Sequence, residues 1–286
     1  MHDTPNVHLS LPSRPENVLL VRQALSGLAA RVGLDAIETN DLNTAVTEAC
    51  NNVVMHAYEG AEGPLDVEVR LLEGAIGVSV RDCGVGIGAD PRERTGSNAE
   101  DDQHELDGMG LAVIEALARR VELAEPAGGG TDVRMEFPLP DGVALESIDG
   151  TSTNTSLPEM APAGAVELRI APSALAQAIL PRVLSALAAR AHFTTDRIAD
   201  VQLVADALAT NAGESLEGAS MAVAVTVAPR SLELRIGPLH AGRGESLVET
   251  AADGLAPVVE RLTDSTRVAP STGAGETLEL RLVDRR

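Results

Sequence analysis

The succession of apolar patterns along this chain predicts an α+β two-layer sandwich, a mixed, mostly antiparallel sheet with helices on one face, present twice in tandem. Three observations predict it. Alternating apolar residues in "LDVEVRLLEGAIGVSVRDCG" mark two strands around a turn at Glu73-Gly74. Segments with apolar spacing of three and four stand before and after that hairpin, as expected of helices covering one side of it. The same order of patterns then returns in the second half of the chain.

Taken in order, "VHLSLPS" reads as a strand, and "RPENVLLVRQALSGLAARVGL" as a helix opened by Pro15. "DLNTAVTEACNNVVMHAY" is a second helix with two unlike faces. Leu42, Val46, Ala49 and Val53 make an apolar stripe, while Glu48, Asn52 and His56, four apart, make a polar one. After the hairpin, residues 86 to 107 lack apolar periodicity and predict a long loop, either functional or disordered, whose Arg92 and Arg94 are either phosphate contacts or exposed solubilising charges. "GLAVIEALARRVEL" predicts a short amphipathic helix, and "GGGTDVRMEFPL" a glycine-rich turn with a closing strand. Residues 141 to 164, rich in Ser, Thr, Gly and Pro, look like a linker. Beyond it, "AVELRIAPSALAQAILPRVLSALAARA", "TTDRIADVQLVADALATNAGESLEG", "MAVAVTVAPRSLELRIGP", "GLAPVVERL" and "GAGETLELRL" mirror the first-half segments in the same order. The expected organisation is thus one domain over 1–140, the linker, and a degenerate copy over 165–286.

Composition limits the function. With 43 acidic against 22 basic residues, all of the latter arginine, the net charge of −21 disfavours a sequence-independent grip on nucleic acid or anionic lipid. A basic protein partner or a metal-bound nucleotide suits it better. Two cysteines, Cys50 and Cys83, are too few for a disulfide framework and are expected to be packing residues. No signal pattern opens the chain and no run reaches membrane-span length, which predicts a cytoplasmic protein.

Four segments together resemble the GHKL ATPases, the superfamily of gyrase, MutL and sensor histidine kinases, whose fold is the Bergerat fold. They are "EACNN" in the second helix, "DCGVG" at a strand end, "GMGL" at a helix start and "GGGT" before the last strand. The form "TEACNNVVMHAY" resembles more narrowly the bacterial anti-sigma-factor serine/threonine kinases. The resemblance covers roughly residues 8 to 138.

It implies ATP and Mg²⁺ as ligands and assigns roles residue by residue. Asp82 would accept a hydrogen bond from the adenine amine, supported by Thr131, while Gly84 and Gly86 let the flat base approach the backbone. Gly108, Met109, Gly110 and Leu111 would open a helix whose free N–H groups cradle phosphates. Asn52 would ligate the metal, and Glu48 would act as general base for an incoming hydroxyl. The kinases often carry a basic residue between the two glycines where this chain has Met109, which removes one phosphate contact. His56 is expected to satisfy carbonyls at the helix end rather than to act in catalysis.

In the second half, Ala207 falls at the position of Glu48, Asn211 at that of Asn52, Pro238 at that of Asp82 and His240 at that of Gly84, so its chemistry is lost. The resemblance implies a kinase for a STAS-type anti-sigma antagonist that also holds a sigma factor. A nucleotide-gated binding module without useful transfer is the alternative. A sensor histidine kinase is disfavoured, because no long dimerisation helix precedes the ATPase half. Relatives of this kind pair through the sheet of one ATPase domain, a surface that the second half could occupy within one chain.

Overall fold

The computed structural model describes residues 5–86, 101–126, 128–140, 164–249, 257–271 and 275–285. Arg92, Arg94 and the expected linker, Gly164 apart, lie outside the described residues. A single sheet of ten strands runs through the molecule, in the order β4-β5-β3-β2-β1-β6-β7-β8-β10-β9, every adjacent pair antiparallel.

The first half is β1 (Val7–Pro12), α1 (Pro15–Val32), α2 (Ala36–Asn52), β2 (Pro64–Leu72), β3 (Ala75–Asp82), α3 (Asp101–Leu117), β4 (Arg120–Ala124) and β5 (Asp132–Pro138). Each element follows from local chemistry. Pro15 fits the first turn of α1, where its missing N–H is not needed, and Gly33 ends the helix in the left-handed conformation. Asp35 caps α2 by accepting the Ile37 and Glu38 amides, and Glu38 reciprocates to the Asp35 amide, completing a capping box. In β1, Val7, Leu9 and Leu11 point into the core and alternate with half-exposed residues.

Two expectations are corrected. Arg120–Ala124 form the edge strand β4, not the end of a helix: the helical spacing of "GLAVIEAL" stops at Leu117, and the following five residues pair with β5. Helix α3 also begins at Asp101, inside the stretch read as a loop, so Gly108 to Leu111 lie within a helix rather than at its opening.

The second half holds β6 (Val166–Ile170), α4 (Ala176–Arg190), α5 (Thr195–Asn211), β7 (Met221–Ala228), β8 (Ser231–Leu239), α6 (Arg243–Glu249), α7 (Val258–Leu262), β9 (Ser265–Pro270) and β10 (Glu276–Val283). None of the described helices is long and apolar enough to cross a membrane.

The halves meet edge to edge. Strands β1 and β6 pair with Val7 opposite Ile170 and Leu9 opposite Leu168, and all four are buried. Asn6 ties the seam, donating to the Ala171 carbonyl and accepting the Leu71 amide. Above the sheet α1 crosses α4, and Arg190 donates to the buried Asn17. At Gly27 these helices approach closely: a Cβ there would overlap the Ala178 carbonyl oxygen.

Alanine at Gly27 should gain about 1 kcal/mol of helix propensity. The obstruction is backbone, however, and cannot swing aside, and overpacking of this kind costs about 1–3 kcal/mol, occasionally more. Gly27→Ala is therefore expected to lower the unfolding free energy by up to about 2 kcal/mol net, read from urea denaturation.

Candidate nucleotide-binding site

Helix α2 carries both stripes that its sequence predicts. Leu42, Val46, Ala49 and Val53 are buried, whereas Glu48 and Asn52 are half-exposed. The α-helical bonding ends at Asn52, and Val53–Ala57 continue as one π-helical turn, a form that concentrates at functional sites. That turn delivers His56 and Ala57 to the same cavity as Asn52. His56 is exposed, on the pocket side of the helix end.

The cavity, of about 250 Å³, has a polar and an apolar part. Ala49, Val53, Val85, Leu111, Ile114, Leu123 and Val133 supply apolar wall; Asn52, His56, Asp82 and Thr131 supply polar atoms. Asp82, at the end of β3, is only 3% exposed, and its Oδ1 accepts the Gly84 amide at 2.8 Å. Its own amide donates to the Thr131 carbonyl at 2.9 Å, which sets β5 beside it. Behind Thr131, Asp132 receives Ser79 Oγ at 2.5 Å and Arg134 Nε at 2.9 Å. Burial pushes the Asp132 carboxyl up, but these partners and Arg81 outweigh it and hold the group below its ordinary range.

Glycines open the space. A Cβ at Gly84 would overlap the Ala57 carbonyl, and one at Gly130, whose φ is +84°, would overlap the Asp82 carbonyl. Gly86 also has positive φ, +77°, and faces Gly130. Only glycine serves at Gly130, on both counts.

At the other end, Gly110 is buried against α2. A Cβ on it would lie 3.3 Å from Asn52 Oδ1 and 3.6 Å from Glu48 Oε2, so both side chains converge on this stretch of α3. Met109 next to it is exposed. The structure thus lines one hollow with Asn52, Asp82, Gly86, Leu111 and Thr131, and sets Glu48 and Gly110 beside Asn52 and Gly84 beside Asp82. Two oxygen donors at its head suit a hard cation that completes its shell with phosphate and water oxygens. Among the described residues no group of three or more His, Cys, Asp or Glu is placed to hold a metal alone.

The two cysteines differ. Cys50 is fully buried on α2, and burial pushes its thiol up to about 12, so it is an inert packing group. Cys83 is exposed, which corrects the expectation that it packs in the core. As the residue after Asp82 it has left the alternation of β3. The apolar walls from Leu123 and Val133 were not singled out from sequence: Leu123 faces the cavity only because β4 is a strand.

The family model for a histidine kinase-like ATPase domain matches residues 11–137. Curated relatives named serine-protein kinase RsbW align with the chain: that of Listeria innocua is 38% identical over 130 residues, covering 43% of this chain and 80% of the relative. The Bacillus subtilis protein is 34% identical over 128 residues, 43% of this chain and 79% of the relative. That of Halalkalibacterium halodurans is 32% identical over 133 residues, covering 45% and 81%. This chain belongs to the RsbW family of histidine kinase-like ATPases. In an RsbW-family chain the hollow between α2, α3 and the β3 end is where a nucleotide site is to be sought.

Proposed function

We propose that this chain is an ATP-dependent serine/threonine protein kinase and anti-sigma factor, acting on a STAS-type anti-sigma antagonist and holding a sigma factor, in the cytoplasm. The observation that carries this is the convergence of the Glu48 carboxylate and the Asn52 amide on Gly110, with the buried Asp82 in the same hollow. In this reading Asp82 accepts the exocyclic amine of adenine, and Gly84 and Gly86 leave room for the ring. Thr131, just before β5, supports Asp82. The amides of Gly108 to Leu111 would reach phosphates only with α3 beginning near Gly108 rather than at Asp101.

Asn52 would hold Mg²⁺, which when bound neutralises charge on the phosphates. Glu48 takes the proton of the partner's seryl or threonyl hydroxyl as its oxygen bonds to the γ-phosphorus. The bond from that phosphorus to the β-bridging oxygen breaks, and ADP leaves. A net charge of −21 favours partners that present basic surface.

The second half we read as a degenerate copy without nucleotide. Its order of strands across the sheet is the mirror of the first half's about the β1/β6 seam. Where Asp82 stands in the first half it has Pro238, which offers no side-chain acceptor, and where Glu48 stands it has Ala207. Asn211 donates to the Ala207 carbonyl of its own helix. Glu276 takes the place of Thr131 and accepts the Gly242 and Gly244 amides, drawing in the turn that follows β8. One ATP per chain follows.

The test is incubation of the chain with labelled ATP and a STAS-domain protein bearing the acceptor residue. Transfer to that residue is expected, and its absence overturns the kinase reading. The second reading, a nucleotide-gated binding module, is favoured by Met109 where a basic residue would grip phosphate. It predicts partner affinity that changes with Mg-ATP while no phosphate moves.

A further inference from the structure

Tyr58 is the sole tyrosine of the chain and stands beside the cavity without lining it. It follows the π-helical turn, and its hydroxyl reaches across to the hairpin. There it accepts the Cys83 amide hydrogen at 2.9 Å and donates to the Pro64 carbonyl at 2.5 Å. Its ring lies against Gly63, where any side chain would overlap it. One residue earlier, the Ala57 carbonyl accepts the Val85 amide at 3.0 Å and fills the space left by Gly84. Two consecutive residues of the α2 extension therefore grip the turn that follows Asp82 from both sides.

We propose that Tyr58 is a positioning residue for base recognition: its hydroxyl fixes the turn after Asp82, and so sets the Asp82 carboxylate against the Glu48 and Asn52 end of the pocket. This rests on the assignment of the hollow to ATP. The helix that carries Glu48 and Asn52 is continuous with the turn that carries Tyr58, so the base end and the phosphate end are tied through four backbone hydrogen-bonding groups. Burial, with a smaller contribution from Asp82, pushes the Tyr58 hydroxyl pKa up, so it keeps the proton it gives to Pro64. The Cys83 amide has no sheet partner in β3 and needs this oxygen or water.

The experiment uses Tyr58→Phe in the full chain, with ATP and inosine triphosphate as probes, the latter lacking the exocyclic amine. Phenylalanine keeps the ring that lies on Gly63. The dissociation constant for ATP is expected to rise about fivefold, the scale of one net hydrogen bond, while that for inosine triphosphate stays within about twofold. The rate at saturating ATP is unchanged. Adding Tyr58→Phe to Asp82→Asn has no further effect on ATP, since the group being positioned is gone. Equal loss for both nucleotides overturns the proposal, because a purely structural role weakens them alike, and unaltered ATP affinity overturns it as well. A wild-type chain that binds neither nucleotide overturns instead the ATP assignment beneath it.

Discussion

Replacing Glu48 by glutamine is expected to lower phosphoryl transfer by about 10²- to 10⁴-fold, the range that a positioned general base contributes. The substitution isolates the proton transfer because it changes little else. Glutamine has the shape of glutamate, so the half-exposed position on α2 and its approach to Gly110 are kept. What is lost is the basicity of the carboxylate, which in the proposed mechanism takes the hydroxyl proton. ATP affinity is expected to change by less than about fivefold, since in the proposed reading the base is recognised at the other end of the cavity and one net hydrogen bond is worth only about 1 kcal/mol. The measurement is paired: single-turnover transfer to a STAS-domain substrate, and calorimetry with Mg-ATP. Loss of ATP binding in parallel with transfer would make Glu48 a ligand of the bound nucleotide's metal. Undiminished transfer would remove it from the chemistry.

Glu48 and Asn52 were legible because helix geometry turns a spacing of four into a shared face, and the apolar stripe of Leu42, Val46, Ala49 and Val53 fixed which face was buried. The β2/β3 hairpin was legible for the same kind of reason, alternation around Glu73-Gly74. What failed lay where two periods compete over few residues. Val121 and Leu123 continue the helical spacing of "GLAVIEAL" well enough to hide a five-residue edge strand, whose pairing with β5 is a long-range fact. The start of α3 at Asp101 was hidden in the opposite way: its first turns are polar and show no stripe.

The seam between halves belongs to a third class. Alternation in Val7, Leu9 and Leu11 says which face of β1 is buried, yet nothing in it says that its second edge is taken by β6. The close approach at Gly27 needed the partner helix to become visible, since a glycine inside a helical pattern reads only as a small loss of propensity. Tyr58 is comparable. It closes the segment "TEACNNVVMHAY" that carries the family resemblance, yet its role emerges only when Cys83 and Pro64 stand within reach of its hydroxyl.

Asparagine at position 82 is expected to weaken ATP binding by about 1.5–3 kcal/mol, roughly ten- to a hundredfold. The size follows from where the carboxylate sits and how much of it is already engaged. Asp82 is 3% exposed, so water cannot repair a mismatch, and its Oδ1 is held by the Gly84 amide. Oδ2 is left to accept from a ligand. An asparagine that keeps the Gly84 bond must turn its oxygen that way, and its NH₂ group then meets the adenine amine, donor against donor. The reverse orientation restores the acceptor but sets NH₂ against the Gly84 amide, loosening the turn that makes room for the ring. Inosine triphosphate, with an acceptor where ATP has the amine, should lose less than ATP or gain. Calorimetry with both nucleotides reads the change in preference directly. An unaltered ratio would mean that the hollow beside Asp82 is not where the base is read.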